Sequence, residues 1–202
     1  MITKFENVVE GKEVVIYAEQ ALSKQVNTLF LILETFGTTE IDFGKSFEIG
    51  FTVFIIKELN GQYVVHAPDY TSNPFVDFTE DLTLHLEIMA EQTHILKVLS
   101  AIGETTRYDD KVVYSEGVFE TDGTYMERIE TDSKRDSGWF YGKREGDNSD
   151  LKACYAYQLL QLNRKLVQYL GLPAKYLVVF DGETVVAILN ENNDNVFREL
   201  NN

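Results

Sequence analysis

The second half of the chain is organised around the stretch Arg135-Asp136-Ser137-Gly138-Trp139-Phe140-Tyr141-Gly142, which holds the only tryptophan of the sequence. Aspartate followed by Ser-Gly favours a turn, because the carboxylate can accept backbone hydrogen bonds and glycine tolerates dihedral angles that other residues avoid. The three aromatic residues after this turn are typical of a β-strand. We therefore expect a tight turn at Asp136 and a short strand from Trp139 to Tyr141.

Two roles are open for the aromatic side chains of this stretch. Tryptophan and tyrosine beside arginine are the usual energetic anchors of protein interfaces, which makes Asp136, Trp139 and Tyr141 candidate partner-binding residues. The alternative is that Trp139 fills the core beneath the final helix while Asp136 and Ser137 hold the turn. The two roles do not exclude each other.

Upstream of this stretch the sequence predicts three strands. They run from Lys111 to Tyr114, from Val118 to Thr121 and from Thr124 to Glu130, with a turn at Asp122-Gly123.

Downstream, Ser149 is a suitable N-cap for a long helix, which Gly171-Leu172-Pro173 would end. Apolar residues at spacings of three and four form its predicted buried face: Leu151, Tyr155, Leu159, Leu162, Leu166 and Leu170. A hairpin is expected next, with strands from Tyr176 to Phe180 and from Glu183 to Leu189 around an Asp181-Gly182 turn. The polar tail, Asn190 to Asn202, is expected to fray.

The first half predicts an α-β-β-α unit. Apolar residues at helical spacing indicate a helix from Glu19 to Phe36, with Gly37 as its C-cap. A buried strand is expected from Phe47 to Ile55. Asn60-Gly61 is a strong hairpin signal that leads into a return strand from Gln62 to Ala67.

A loop and a second helix complete this half. The loop runs from Pro68 to Asp77, and Thr79 then offers an N-cap. The predicted helix extends from Glu80 to Ile102 and ends at Gly103.

Both halves mix strands and helices without a regular βαβ alternation, so we predict the α+β class. The expected architecture is two α+β halves in which antiparallel hairpins pack against helices. The predicted domains are 1–103 and 104–202, and the second carries the Asp-Ser-Gly-Trp segment.

The charge of the chain is strongly negative and unevenly placed. Acidic residues outnumber basic ones 33 to 18, which gives a formal charge of -15. No Lys or Arg occurs from Glu58 to Leu96, a stretch that holds the seven carboxylates Glu58, Asp69, Asp77, Glu80, Asp81, Glu87 and Glu91. Such a field repels nucleic acids and anionic membranes and attracts basic proteins, so we predict neither nucleic-acid nor membrane binding.

No arrangement of residues typical of catalysis or cofactor binding is recognisable. Ser137 lacks the Gly-x-Ser-x-Gly context of a hydrolase nucleophile, and Cys154 falls where a buried inert thiol is expected. Glu87, Glu91 and His94 share one helix face, but a bundle metal site needs a second such motif, so a solvated face is expected. The glycine-rich motifs of nucleotide sites do not occur. We predict no catalytic residue, no metal and no cofactor.

Three features point to the cytoplasm. A single cysteine excludes an intrachain disulfide and fits a reducing compartment. The first residues do not read as a signal peptide, and the longest apolar run is far shorter than the ~20 residues that span a bilayer.

Around the Asp-Ser-Gly-Trp motif, the chain resembles a bacterial family of domains of unknown function that recurs among the immunity proteins of polymorphic-toxin systems. The similar features are a strand near Glu130, the motif, a short acidic loop, a helix, the Leu172-Pro173 stop and a final hairpin. They cover about Val112 to Leu189. The resemblance implies a protein that binds and neutralises a cognate toxin, and it implies no catalytic residues.

We therefore predict a non-enzymatic, cytoplasmic immunity protein whose partner is a cognate toxin or another basic protein. The contact surface is either the negative stretch from Asp69 to Glu91 or the acidic loop after Trp139. The candidate contact residues are Asp69, Tyr70, Asp77, Glu80, Asp81, Glu87, Asp136, Trp139 and Tyr141. The alternatives are a small enzyme or small-ligand domain, with its site between the 70–75 loop and the Trp139 segment, and a structural subunit of an oligomer.

Overall fold

The structure is a computed structural model that describes residues 1–40, 46–133 and 135–197. For residues 36–40 only the backbone is described. The end of the predicted polar tail, beyond residue 197, lies outside the described residues.

The chain forms two compact units, Met1–Ala90 and Glu91–Asn202. The division falls inside a helix, whereas the sequence-based division into 1–103 and 104–202 stays a prediction. Each unit combines a mixed sheet with helices, which confirms the predicted α+β class.

Within the described residues, unit 1 holds six strands in one mixed sheet. They are β1 (Ile2–Val9), β2 (Lys12–Glu19), β3 (Ser46–Ile49), β4 (Thr52–Leu59), β5 (Gln62–Pro68) and β6 (Phe78–Thr79). The order is β1-β2-β5-β4-β3, and β6 pairs with the end of β5. The β2–β5 pair is parallel and the other pairs are antiparallel.

Two-residue turns set the register of this sheet. Asn60 and Gly61 have φ angles of 53° and 81°, the conformation that favours Asn-Gly, and the predicted β4–β5 hairpin is confirmed. The single strand predicted from Phe47 to Ile55 is wrong, because the chain reverses at Gly50 and forms the β3–β4 hairpin. The β1–β2 hairpin was not predicted, since its turn is Glu10-Gly11, a weaker signal than Asn-Gly.

Two helices accompany the sheet of unit 1. The first, α1 (Ser23–Glu40), begins after a 3-10 turn at Gln20–Leu22 and continues past Gly37, where the sequence predicted its end. The second, α2 (Thr83–Val98), continues into unit 2. The sheet, α1 and the start of α2 share an apolar core whose buried members include Ile16, Val26, Leu29, Leu33, Phe54, Ile56, Leu82 and Leu86.

The ends of α2 differ from the predicted Glu80 and Ile102. Asp81 Oδ1 accepts a hydrogen bond from the Thr83 N–H at 3.0 Å, so Asp81 has the capping role that was predicted for Thr79. The helix ends at Val98 because Ser100 adopts a φ of 51° and the Ala101 N–H donates to the Leu96 carbonyl, ahead of Gly103.

Unit 2 contains a second mixed sheet, also of six strands among the described residues. They are β7 (Lys111–Ser115), β8 (Gly123–Arg128), β9 (Asp136–Lys143), β10 (Leu151–Tyr155), β11 (Leu177–Asp181) and β12 (Thr184–Leu189). The order is β10-β7-β9-β8-β11-β12, in which only the β7–β9 pair is parallel. The predicted β11–β12 hairpin forms, with its turn at Gly182 and Glu183 instead of Asp181 and Gly182.

The long helix predicted from Ser149 to Leu170 is wrong. Its first part is strand β10, and short turns follow: 3-10 turns at Ala156–Gln158 and Arg164–Tyr169 flank the one-turn helix α3 (Leu159–Leu162). Asn163 interrupts the helical path with a φ of -162° and accepts a hydrogen bond from the Lys165 N–H. Leu151 and Leu162 are about half exposed, so the leucine spacing does not correspond to one buried face.

Two smaller expectations in unit 2 also change. The strand predicted from Val118 to Thr121 is a 3-10 turn, Val118–Glu120, and β8 pairs instead with β9 and β11. The tail after β12 turns back on it, since the Ile188 N–H donates to Asn195 Oδ1 and the Asn190 N–H to the Asp194 carbonyl.

The Asp-Ser-Gly-Trp segment forms a bulge at the start of β9. Lys111 pairs with Asp136 and Val113 with Phe140, so β9 holds two more residues than β7 over this interval. Gly138 takes a φ of 74°, and a Cβ there would lie 2.3 Å from the Ile129 carbonyl oxygen. Only glycine fits this position.

We therefore expect Gly138→Ala to destabilise unit 2 by about 3 kcal/mol or more, because it adds a backbone clash to an unfavourable φ. The matched control is Gly117→Ala, which has the same φ of 74° but open space around the added methyl group. It should cost only about 1 kcal/mol. Urea unfolding followed by Trp139 fluorescence measures both, and equal losses would show that the bulge tolerates a side chain.

Candidate partner-binding site

The side chains of the Asp-Ser-Gly-Trp segment shape the bulge. Asp136 is exposed, and its Oδ1 accepts the Gly138 N–H at 3.0 Å. Ser137 Oγ donates to the Lys111 carbonyl at 2.7 Å and accepts the Trp139 N–H at 3.1 Å. Ser137 is thus a structural residue that joins β9 to β7.

The two aromatic candidates of unit 2 are core residues. Trp139 is 1% exposed, and its Nε1–H donates to the Leu170 carbonyl at 3.2 Å. Tyr141 is 4% exposed, and its hydroxyl donates to Thr124 Oγ1 at 3.1 Å. Burial raises the pKa of the Tyr141 hydroxyl. Neither side chain reaches the surface in this conformation, and contact of Asp136, Trp139 or Tyr141 with a partner stays a prediction.

A buried arginine lies against Trp139. The guanidinium of Arg128 is centred 5.9 Å from the Trp139 ring, and the residue is 3% exposed. Its nitrogens donate to four backbone carbonyls, those of Glu104 at 2.8 Å, Thr105 at 3.2 Å, Leu170 at 3.4 Å and Leu172 at 2.7 Å. Sequence reasoning missed Arg128, although its alternation with Thr124 and Met126 along β8 would have placed it on the buried face.

The remaining six candidates belong to unit 1, where the loop from Asp69 to Asp77 is held by its own carboxylates. Asp69 Oδ1 accepts the N–H and the hydroxyl of Thr71, and these bonds lower the pKa of the Asp69 carboxyl. Asp77 Oδ2 accepts the Ser72 hydroxyl at 3.0 Å and the Asn73 N–H at 3.2 Å. The Asp69 N–H donates to the Asp77 carbonyl at 2.9 Å, which closes the base of the loop. We call residues 69–77 the closed loop.

Tyr70 lies beneath the closed loop and is 3% exposed. Its ring contacts Phe51 and His85 at centroid distances of 5.8 and 4.8 Å, and its hydroxyl is 3.3 Å from Thr52 Oγ1. The His85 Nε2–H donates to the Pro68 carbonyl at 2.9 Å, just before the loop begins. In this conformation Tyr70 supports the loop from inside, and its contact with a partner stays a prediction.

The other unit 1 carboxylates follow the closed loop along the chain. Glu80 is partly exposed, and its Oε1 lies 3.5 Å from His66 Nε2. Asp81 is exposed and caps α2, while Glu87 is half-buried on that helix. His85 lies in the first turn of α2, which Asp81 caps, and it donates to the carbonyl of Pro68, the residue before Asp69, so the two ends of this acidic stretch lie in the same part of unit 1.

The second acidic surface considered from the sequence, the loop after Trp139, has mixed charge. Its carboxylates, Glu145 and Asp147, follow directly on Lys143 and Arg144. Asp147 accepts the N–H and hydroxyl of Ser149 at 2.8 and 2.7 Å. The negative field of this loop is therefore weaker than that of the stretch from Glu58 to Leu96.

A shallow pocket of about 160 Å³ lies in unit 2, lined by Lys111, Ala153, Cys154, Tyr155 and Gln158. Burial raises the pKa of the Cys154 thiol to about 11, which keeps the sulfur protonated and unreactive at neutral pH. This pocket includes neither the 70–75 loop nor Trp139.

No three His, Cys, Asp or Glu side chains in the part of the chain that the structure describes are grouped to hold a metal ion. In the same residues, no helix combines the length and the apolar character that crossing a membrane requires.

Comparison with known families decides the classification. The model of the Imm33-like domain matches residues 91–191, half of the 202-residue chain. The chain belongs to the Imm33-like family. The Imm33-like match lies within unit 2 and includes the interval from Val112 to Leu189 on which the resemblance rests. That the Asp-Ser-Gly-Trp motif is characteristic of this family stays a prediction. No curated protein and no solved structure matches the chain.

The burial of His85 generates a prediction about pH. Removal from water lowers its pKa from 6.5 to about 4. Between these pH values His85 is therefore neutral in the folded state and protonated in the unfolded chain. The resulting stability is fully present above pH 6.5 and is lost as pH falls toward 4. It amounts to roughly 3 kcal/mol.

A comparison with His85→Gln isolates this contribution. The wild type and the variant are compared by the difference between their free energies of unfolding. This difference, wild type minus variant, should be smaller at pH 4 than at pH 7 by roughly 3 kcal/mol. Urea unfolding followed by far-ultraviolet circular dichroism gives both values. A difference that does not change with pH would contradict the buried, neutral imidazole.

Proposed function

We propose that this protein is a cytoplasmic, non-enzymatic immunity protein that binds a cognate toxin and neutralises it. The observation that carries the proposal is the Imm33-like match over residues 91–191, because the family name denotes immunity proteins. The chain's formal charge of -15 supports a basic protein as partner.

The negative stretch of unit 1 supports a more definite mechanism than the loop after Trp139. No Lys or Arg occurs in the sequence from Glu58 to Leu96, a stretch with seven carboxylates, of which Glu91 belongs to unit 2 and forms an ion pair with Arg164 at 2.8 Å. Asp77 and Asp81 are held by hydrogen bonds to neighbouring backbone N–H groups, so their charges have defined positions before a partner arrives. In the proposed mechanism this field steers a basic toxin toward unit 1, and the bound protein occludes the toxin's active surface.

Neutralisation is tested by co-expression with the toxin encoded in the neighbouring open reading frame. Cells that produce the toxin should grow only when this protein is also produced, and the two purified proteins should form a stable complex. Growth arrest despite production of the folded protein, together with the absence of a complex, would contradict the proposed function.

The steering role is tested by removing charge while keeping hydrogen-bond acceptors. In the triple variant Asp77→Asn, Glu80→Gln and Asp81→Asn, the amide oxygens can still accept the bonds that hold the loop and cap the helix. We expect the association rate with the toxin to fall about tenfold at low salt and to depend less on ionic strength, with little change in the dissociation rate.

The matched control removes three charges from exposed carboxylates of unit 2, Glu120→Gln, Asp132→Asn and Glu191→Gln. Stopped-flow or surface-binding kinetics measure both triple variants. Equal association rates in the two variants would show that net charge alone attracts the toxin. The unit 1 stretch would then have no special role in steering.

A further inference from the structure

The tip of the closed loop exposes two large apolar residues in succession. Phe75 is 47% exposed and Val76 is 67% exposed. Apart from Met1 and Ile2 at the N-terminus, no other two consecutive large apolar residues are both so exposed in the described parts of the chain. Neighbouring exposed apolar residues on a folded loop are typical of a contact surface.

The hydrogen bonds of the closed loop hold this tip in place. The Phe75 N–H donates to Asn73 Oδ1 at 3.2 Å, and the Val76 and Asp77 N–H groups donate to the Asn73 carbonyl at 3.0 and 2.8 Å. Pro74, between Asn73 and Phe75 in the sequence, is buried. A loop that is already ordered loses little conformational entropy when it binds, so its apolar contacts contribute more fully to affinity.

The surroundings of the tip indicate the chemistry of its partner. Asp77 is the next residue after Val76, and Asp69 closes the other end of the loop. No Lys or Arg occurs in the sequence from Glu58 to Leu96, while the Lys57 ammonium lies 4.9 Å from the centroid of the Phe78 ring. The complementary surface is an apolar depression bordered by Lys or Arg side chains. An anionic membrane or a nucleic acid would be repelled by the same carboxylates.

We propose that Phe75 and Val76 are the apolar anchors of this protein on its toxin, inserted into an apolar depression with a basic rim. The inference rests on the proposed function and adds to it the residues that hold the complex. It assigns the anchoring role to the loop tip and a supporting role to the buried Tyr70. Anchors in a desolvated contact govern dissociation, whereas the surrounding carboxylates govern association.

The test compares dissociation rates from the inactivated toxin domain of the neighbouring open reading frame. The double variant Phe75→Ser and Val76→Ser should dissociate at least about tenfold faster than the wild type, with an association rate within about twofold. The control, Ile129→Ser and Val186→Ser, removes similarly exposed apolar residues from unit 2, which are 57% and 44% exposed, and should dissociate like the wild type. Unchanged dissociation of the Phe75/Val76 variant would overturn the inference.

A second readout does not depend on the stability of the serine variants. A photoreactive amino acid at position 76 should cross-link to the toxin, and the same amino acid at position 129 should not. Cross-linking from position 129 alone would overturn the inference while leaving the proposed function intact. Failure of the wild-type protein to bind the toxin at all would instead contradict the proposed function.

Discussion

The architecture of unit 2 depends on the buried guanidinium of Arg128. Its nitrogens donate to carbonyls from two separate segments, residues 104–105 and 170–172, and its centre lies 5.9 Å from the centroid of the Trp139 ring. The Leu170 carbonyl accepts from both Arg128 and Trp139, so strands β8 and β9 are tied to the same turn. A buried charge is tolerated only when its donors are satisfied, and the four carbonyls meet that requirement together with Glu104, whose carboxylate lies 3.5 Å away.

Local signals in the sequence predicted the parts of the fold that local chemistry determines. The Asn60-Gly61 hairpin is correct because that dipeptide suits the turn geometry. The β11–β12 hairpin also forms, but its turn residues are Gly182 and Glu183, one position later than predicted. The helix expected after Ser149 is wrong. The spacing of leucines along the chain carries no information about the pairing of β10 with β7. The Asp136 turn was predicted, but its extension into a bulge depends on Lys111, a partner distant in sequence.

The candidate site shows the same division between local and tertiary information. Composition alone located the negative stretch and led to the prediction that nucleic acid is not a partner. It could not distinguish an exposed aromatic residue from a buried one, so it favoured Tyr70, Trp139 and Tyr141, which are all buried, over Phe75, which is 47% exposed. Burial depends on which strands and loops cover a residue, and those neighbours come from elsewhere in the chain.

Arg128 and Trp139 hold the Imm33-like domain together, and the proposed site of partner recognition is the closed loop of unit 1. Hydrogen–deuterium exchange of the wild-type protein, with and without the inactivated toxin domain, tests this assignment most directly. We expect the toxin to slow amide exchange in residues 69–81, while residues 123–128 and 136–143 exchange slowly in both states. Unchanged exchange in residues 69–81, with protection appearing elsewhere in the complex, would contradict the account.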